Sequence, residues 1–129
     1  GDITSTNHVA WTRIAGTPYV PSPLLYGNSL YYLRHYQGIL SRVDIKTGAD
    51  DGGPFRLGAI RDVYASPVAA ANRIYVTGRD GATQIISHGA TPQVLAENQL
   101  NDSFSASAAL VDRELFLRGE AFLYCIAED

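Results

Sequence analysis

Tyr19-Val-Pro-Ser-Pro-Leu-Leu-Tyr-Gly-Asn-Ser-Leu-Tyr-Tyr-Leu33 is the stretch that decides the fold, because the chain repeats it twice. It returns as Tyr64-Ala-Ser-Pro-Val-Ala-Ala-Ala-Asn-Arg-Ile-Tyr-Val76, and again as Phe104-Ser-Ala-Ser-Ala-Ala-Leu-Val-Asp-Arg-Glu-Leu-Phe-Leu117. Ser22, Ser66 and Ser107 fall in register, 44 and then 41 residues apart, and Tyr31, Tyr75 and Phe116 keep the same two offsets. Short strands recurring with a period of about 40–50 residues are the signature of β-propeller blades.

Each copy supplies the same order of elements. An innermost strand follows the serine: Pro23 to Tyr26, Pro67 to Ala71 and Ala108 to Val111. A tight turn comes next, at Gly27-Asn28, Ala71-Asn72 and Asp112-Arg113, where residues tolerant of positive φ close a hairpin. The second strand is Leu30 to Leu33, Ile74 to Thr77 and Leu115 to Leu117, and the third is Ile39 to Ile45, Ala82 to Ser87 and Phe122 to Ile126. The first of the second strands is apolar on both faces, as a blade sandwiched between neighbours requires. An outer strand, with polar residues or an edge proline, is expected at Pro54 to Leu57 and at Gln93 to Asn98.

The third copy ends without an outer strand, while Val9-Ala-Trp-Thr-Arg-Ile14 precedes the first innermost strand with no copy of its own. The predicted fold is therefore all-β: one propeller unit over residues 1–129, with three four-stranded blades at about 19–57, 64–98 and 104–127. The segment 9–14 is expected to act as the outer strand of the last blade. Three blades are fewer than the four or so at which propellers close. A terminal blade face of ~400 Å² left in water would forgo roughly 10 kcal/mol at 25 cal/mol/Å², comparable with the about 5–15 kcal/mol that stabilises a whole domain. Homo-oligomerisation would relieve this. A homodimer of six blades, with Val9, Trp11 and Ile14 carried by the exchanged strand, is the expected assembly. One arc of a longer propeller is the alternative.

Hydrophobic residues make up 46% of the chain and charged residues 18%, which describes a globular chain and not a disordered one. The net charge is −3 with mixed signs and no basic stripe, so nucleic acid is not an expected partner. No apolar run approaches the roughly 18 residues of a membrane span. Cys125 is the sole cysteine, which excludes an internal disulfide, and its setting in Phe122-Leu-Tyr-Cys-Ile126 reads as a small buried hydrophobe.

Leu40-Ser-Arg-Val-Asp-Ile-Lys-Thr-Gly48, the Ser-Pro pairs Ser22-Pro23 and Ser66-Pro67, and Leu123-Tyr-Cys-Ile126 resemble the repeats of the PQQ-like, or quinoprotein-like, propellers. The resemblance covers nearly the whole chain and is closest to the C-terminal blades of bacterial PQQ-binding-like propellers, a group that includes the outer-membrane assembly scaffold lipoprotein. It implies a periplasmic or extracellular setting. It also implies a tryptophan late in each repeat that docks on the next blade. Trp11 fits that role and the other repeats have none. The quinoprotein dehydrogenases of this group hold calcium with Glu, Asn and Asp and carry adjacent cysteines near the cofactor. No acidic set here matches and one cysteine excludes the pair, so neither PQQ nor calcium is expected.

Candidate site residues come from the turns after the second strand, which gather at one end of a propeller. Arg34, His35 and Tyr36 stand in the first, Arg79 and Asp80 in the second, and Arg118 and Glu120 in the third. An arginine from each blade would give a basic rim suited to a carboxylate, a phosphate or an acidic peptide. The competing reading is a set of solvated, locally paired turns. The repeated serines are expected to make a structural turn bond, since a nucleophile would occur once. No Gly-x-Ser-x-Gly elbow, zinc spacing or phosphate loop is present, so no catalytic or metal-ligating residue is assigned. The expected function is a non-catalytic scaffold with a protein or peptide partner; the alternative is a quinoprotein-like small-molecule binder or oxidoreductase acting at the channel rim.

Overall fold

The computed structural model describes residues 1–35 and 37–127. Eleven strands form among them: β1 (Leu24–Tyr26), β2 (Ser29–Leu33), β3 (Ile39–Asp44), β4 (Phe55–Arg56), β5 (Val68–Ala70), β6 (Arg73–Thr77), β7 (Ala82–Ser87), β8 (Val94–Gln99), β9 (Ala109–Val111), β10 (Glu114–Arg118) and β11 (Leu123–Ala127). They make three antiparallel sheets in the orders β1-β2-β3-β4, β5-β6-β7-β8 and β9-β10-β11, which are blades 1, 2 and 3. The three first hairpins share one register, with Leu24 opposite Tyr31, Val68 opposite Tyr75 and Ala109 opposite Phe116. Their turns take the positive φ foreseen for them at Gly27, Ala71, Asn72 and Asp112.

The three in-register serines join the blades to one another. The Ser22 N–H donates to Ser66 Oγ at 2.8 Å, and the Ser66 N–H donates to Ser107 Oγ at 2.9 Å. The bond is structural, as the repetition implied, but it crosses between blades instead of closing a local turn. Among the described residues nothing donates to Ser22 Oγ and nothing accepts from the Ser107 N–H.

Blades 1 and 2 close on a continuous core. Tyr31, Leu33 and Leu40 from blade 1 meet Ile74, Val76 and Ile86 from blade 2, with Leu57, Ile60 and Val63 of the connecting segment packed among them. Tyr31 shares a 2.8 Å hydrogen bond with His88 Nδ1, and Tyr26 Oη accepts from the Asn72 N–H at 2.9 Å. Both bonds fasten blade 1 to blade 2.

Blade 3 has a neighbour on one side only. Leu117 is buried there, but Leu123 on β11 keeps 72% of its surface exposed and Phe122 beside it 62%. Cys125 is exposed, not buried as the apolar run around it suggests. The cause is that, among the described residues, no fourth strand pairs with β11, which forms the edge of its sheet.

The segment Val9–Ile14, expected on the last blade of a partner copy, has no sheet to join within the single chain. It forms no strand and pairs with no sheet among the described residues. It lies on blade 1 through two side chains. Trp11 Nε1 donates to the Ile45 carbonyl at 3.0 Å, and its indole covers Gly48 so closely that a Cβ there would stand 2.6 Å from the ring. Arg13 donates to the Gly48 carbonyl and pairs with Asp50 at 3.0 Å. The neighbouring Asp51 pairs with Arg42 at 2.9 Å, so this acidic turn is held by arginines. Trp11 thus docks on blade 1 through both its indole N–H and its ring face.

Candidate functional site

In every blade the turn after the second strand is fastened to the segment that enters the blade. The His35 N–H donates to the Thr17 carbonyl at 3.0 Å, the Arg79 N–H to Asp62 at 2.9 Å and the Glu120 N–H to Ser103 at 2.8 Å. These bonds are equivalent from blade to blade, so the loop end of the arc is held in the frame of the sheets.

The side chains do not repeat with the backbone. Arg34 bends back onto blade 1, with Nε donating to Ser41 Oγ at 2.7 Å. His35 stacks on Tyr19 at 5.3 Å between ring centroids, held at a φ of 51°. Tyr36 lies outside the described residues. Arg79 pairs with Asp62 at 3.2 Å and sets its guanidinium 4.4 Å from the centroid of the Tyr64 ring. Asp80 stands at the next turn position, its carbonyl accepting from Gln99 Nε2 at 2.7 Å. The symmetric ring of three arginines is therefore not formed, because Arg34, Arg79 and Arg118 occupy different positions relative to the fastened turn.

Arg79, Arg118 and Glu120 do come together. With Ser103, Ser105 and Gly119 they line an open cavity of about 350 Å³ between the loop ends of blades 2 and 3. Arg118 and Glu120 are exposed, and neither makes an ion pair among the described residues. Arg79 Nε is buried and has no acceptor.

Asp102, beside this rim, has a task that no sequence motif marks. Its carboxylate accepts from the backbone N–H groups of Ser103, Ala121 and Phe122 and from the Tyr124 hydroxyl, at 2.8–3.2 Å. One side chain so binds the entry segment of blade 3 to its turn. Desolvation works to raise the Asp102 carboxyl, but the three backbone donors and Tyr124 outweigh it and hold it below the ordinary carboxylate value. Tyr124 shifts the other way, raised first by desolvation and then by the bond to Asp102. A depressed folded pKa gives stability that is full above the unfolded value of about 3.9 and is lost as pH falls through the folded one. Unfolding free energy measured in urea should therefore decline from about pH 5 toward and below pH 4, and Asp102→Asn should flatten that decline. Superimposable pH curves for the two proteins would refute this role.

A larger cleft of about 560 Å³ opens farther out between blades 2 and 3, lined by Tyr75, Ile85, Leu95, Leu110, Leu115 and Ile126 among others. Its outer side is the space a fourth strand of blade 3 would border.

No family model matches the chain, nor does any curated protein. Among solved structures it is similar to the crystal structure of BamB from Moraxella catarrhalis, at 18% identity and a TM-score of 0.69, covering 92% of this chain and 36% of that one. The chain therefore spans little more than a third of that protein's length. At such identity the likeness shows the fold alone: this chain is folded as an arc of a β-propeller.

Proposed function

We propose that the chain is a non-catalytic scaffold, a rigid propeller arc that presents its loop end to a protein partner. The observation that carries this reading is the set of three equivalent backbone bonds, Thr17–His35, Asp62–Arg79 and Ser103–Glu120, which hold the loops without help from a ligand. A preorganised rim loses little conformational freedom on binding. The likeness to BamB supports a scaffold in preference to an oxidoreductase. The test is to add PQQ and calcium and follow dye-linked oxidation of an alcohol. A scaffold gives no turnover, and calcium-dependent turnover would overturn the reading in favour of the quinoprotein alternative.

The scaffold works as a closed ring. Two arcs related head to tail make a six-bladed homodimer, in which Val9–Ile14 of one copy adds to the open β11 edge of the other. The open outer edge of β11, the exposed Leu123 and Phe122 beside it, and a Trp11 docked without a sheet support this closure. One observation favours a second reading. Three blades match 36% of BamB, so a chain of like repeats that long holds about eight, and this arc would then be part of a larger ring. Light scattering over a dilution series separates the two. A particle of twice 13.9 kDa that falls to one chain on deleting residues 1–14 supports the dimer. A monomer at micromolar concentration refutes it.

A further inference from the structure

We infer that the cavity between the loop ends of blades 2 and 3 is a carboxylate-binding subsite, made for one acidic side chain of an extended peptide. The inference rests on the scaffold reading and names the chemistry that its rim accepts. Three groups around one cavity of about 350 Å³ have donors to spare, the Arg118 guanidinium and the hydroxyls of Ser103 and Ser105, and Arg79 adds its charge beside them. The Arg118 side chain makes no hydrogen bond or ion pair among the described residues. Arg79 has its Nε buried without an acceptor, although its other end is held by Asp62 and Tyr64. The hydroxyls of Ser103 and Ser105 also make no bond within the described chain; Ser103 enters the network through its backbone alone. A guanidinium presents its N–H groups as a planar fork that matches a carboxylate. Arg79 is already fixed in position by the Tyr64 ring and by its own backbone bond to Asp62, so it pays little ordering entropy when an acid arrives.

The charges set the class of ligand. Arg79 is offset by Asp62, and Glu120 stands on the same wall as Arg118. The two arginines and two carboxylates here sum to zero, so a single carboxylate brings one uncompensated charge and a dianionic phosphate two, and the smaller penalty goes with the carboxylate. The cavity is open at its mouth and small, which suits a side chain reaching in from a strand or loop and not a folded domain. The serines supply neutral donors for the second carboxylate oxygen.

Fluorescence anisotropy with a dye-labelled tetra-aspartate peptide tests this, with the tetra-asparagine peptide as its uncharged match. The wild-type chain should bind the aspartate peptide and not the asparagine one, more weakly as salt is raised. Arg118→Gln should weaken binding at least tenfold while leaving the melting temperature unchanged, because that side chain holds nothing within the chain. Arg79→Gln should weaken it similarly. Arg56→Gln, at an exposed position on β4, should bind as the wild type does. Equal affinity of Arg118→Gln and wild type overturns the subsite. So does absence of tetra-aspartate binding up to millimolar peptide, an outcome that leaves the scaffold reading to be judged by the oxidation assay. Displacement of the peptide by equimolar inorganic phosphate would overturn the carboxylate assignment.

Discussion

Gly81→Ala is expected to be the most damaging single methyl that can be added to this chain. Gly81 sits at φ 91°, where a side chain is strained, and a Cβ there would overlap the Leu100 carbonyl oxygen and approach the carbonyl of Asp102 at 2.9 Å. Positive-φ strain costs about 1–3 kcal/mol, and forcing atoms into filled space costs about 1–3 kcal/mol more. The sum, ~2–6 kcal/mol, is a large share of the about 5–15 kcal/mol available to a domain. The site explains the cost. The Gly81 carbonyl accepts from the Leu100 N–H at 3.1 Å, so the end of β8 is pressed onto the start of β7. Gly38 does the same for blade 1, its carbonyl accepting from the Leu57 N–H at 2.8 Å. The equivalent residue in blade 3 is Ala121, and among the described residues no outer strand is paired to that blade. Glycine thus stands where an outer strand must come close. The control is Gly58→Ala, where a Cβ meets nothing within 4 Å; it should be neutral or stabilising by about 0.4–1 kcal/mol. A urea midpoint for Gly81→Ala within error of that for Gly58→Ala would refute the account.

Phe104→Ala should cost about 3–5 kcal/mol, the usual range for emptying a buried aromatic site. Phe104 is fully buried, packs 5.8 Å from the Tyr124 ring and donates its N–H to the Arg79 carbonyl at 3.3 Å. It is the chief apolar anchor of a blade that has only one neighbour, so the loss should be local. Native-state hydrogen exchange should quicken across β9, β10 and β11, while β2, β3, β6 and β7, which enclose the main core, stay protected. Uniform quickening over all eleven strands would mean that the arc opens as one unit and would refute the local reading. Because Ser103 and Ser105 flank Phe104, the same variant should also lose the acidic-peptide affinity proposed for the rim.

The strands were legible in the sequence because each hairpin writes itself locally. Serine, apolar triplet, turn residues and second apolar run recur in one order, and β1–β2, β5–β6 and β9–β10 follow them within a residue or two. Long-range consequences were not written there. Cys125 lies in as apolar a run as any buried strand, yet is exposed, since burial depends on whether another strand covers β11. Val9–Ile14 has the composition of an outer strand, but a strand needs a sheet to join. The arginines share a turn in the sequence but not a position relative to the fastened backbone, so only two of them meet. Asp102 looks like any loop acid, and its five bonds depend on a turn some twenty residues onward. A carboxylate held by consecutive N–H groups leaves no pattern of residue types, since every residue but proline supplies the same donor.

The serine contacts between blades give the arc a direction. Each passes a hydrogen from the backbone of one blade to the hydroxyl of the next, never the reverse, so the series ends in an acceptor at Ser22 and a donor at Ser107. Like ends do not repeat this bond: two Ser107 N–H groups cannot bond at all, and two Ser22 hydroxyls would meet each other and no backbone donor. Whatever extends the arc, another copy or further blades, must meet it donor to acceptor, as cars couple on a one-way track. Such a rule admits rings whose rotation axis runs down the channel. It rejects any pairing that sets two equivalent end faces against each other, even one that hides as much apolar surface. Polarity of this kind selects correct closure over mere adhesion, and it resides in a hydroxyl that each repeat carries at the same place.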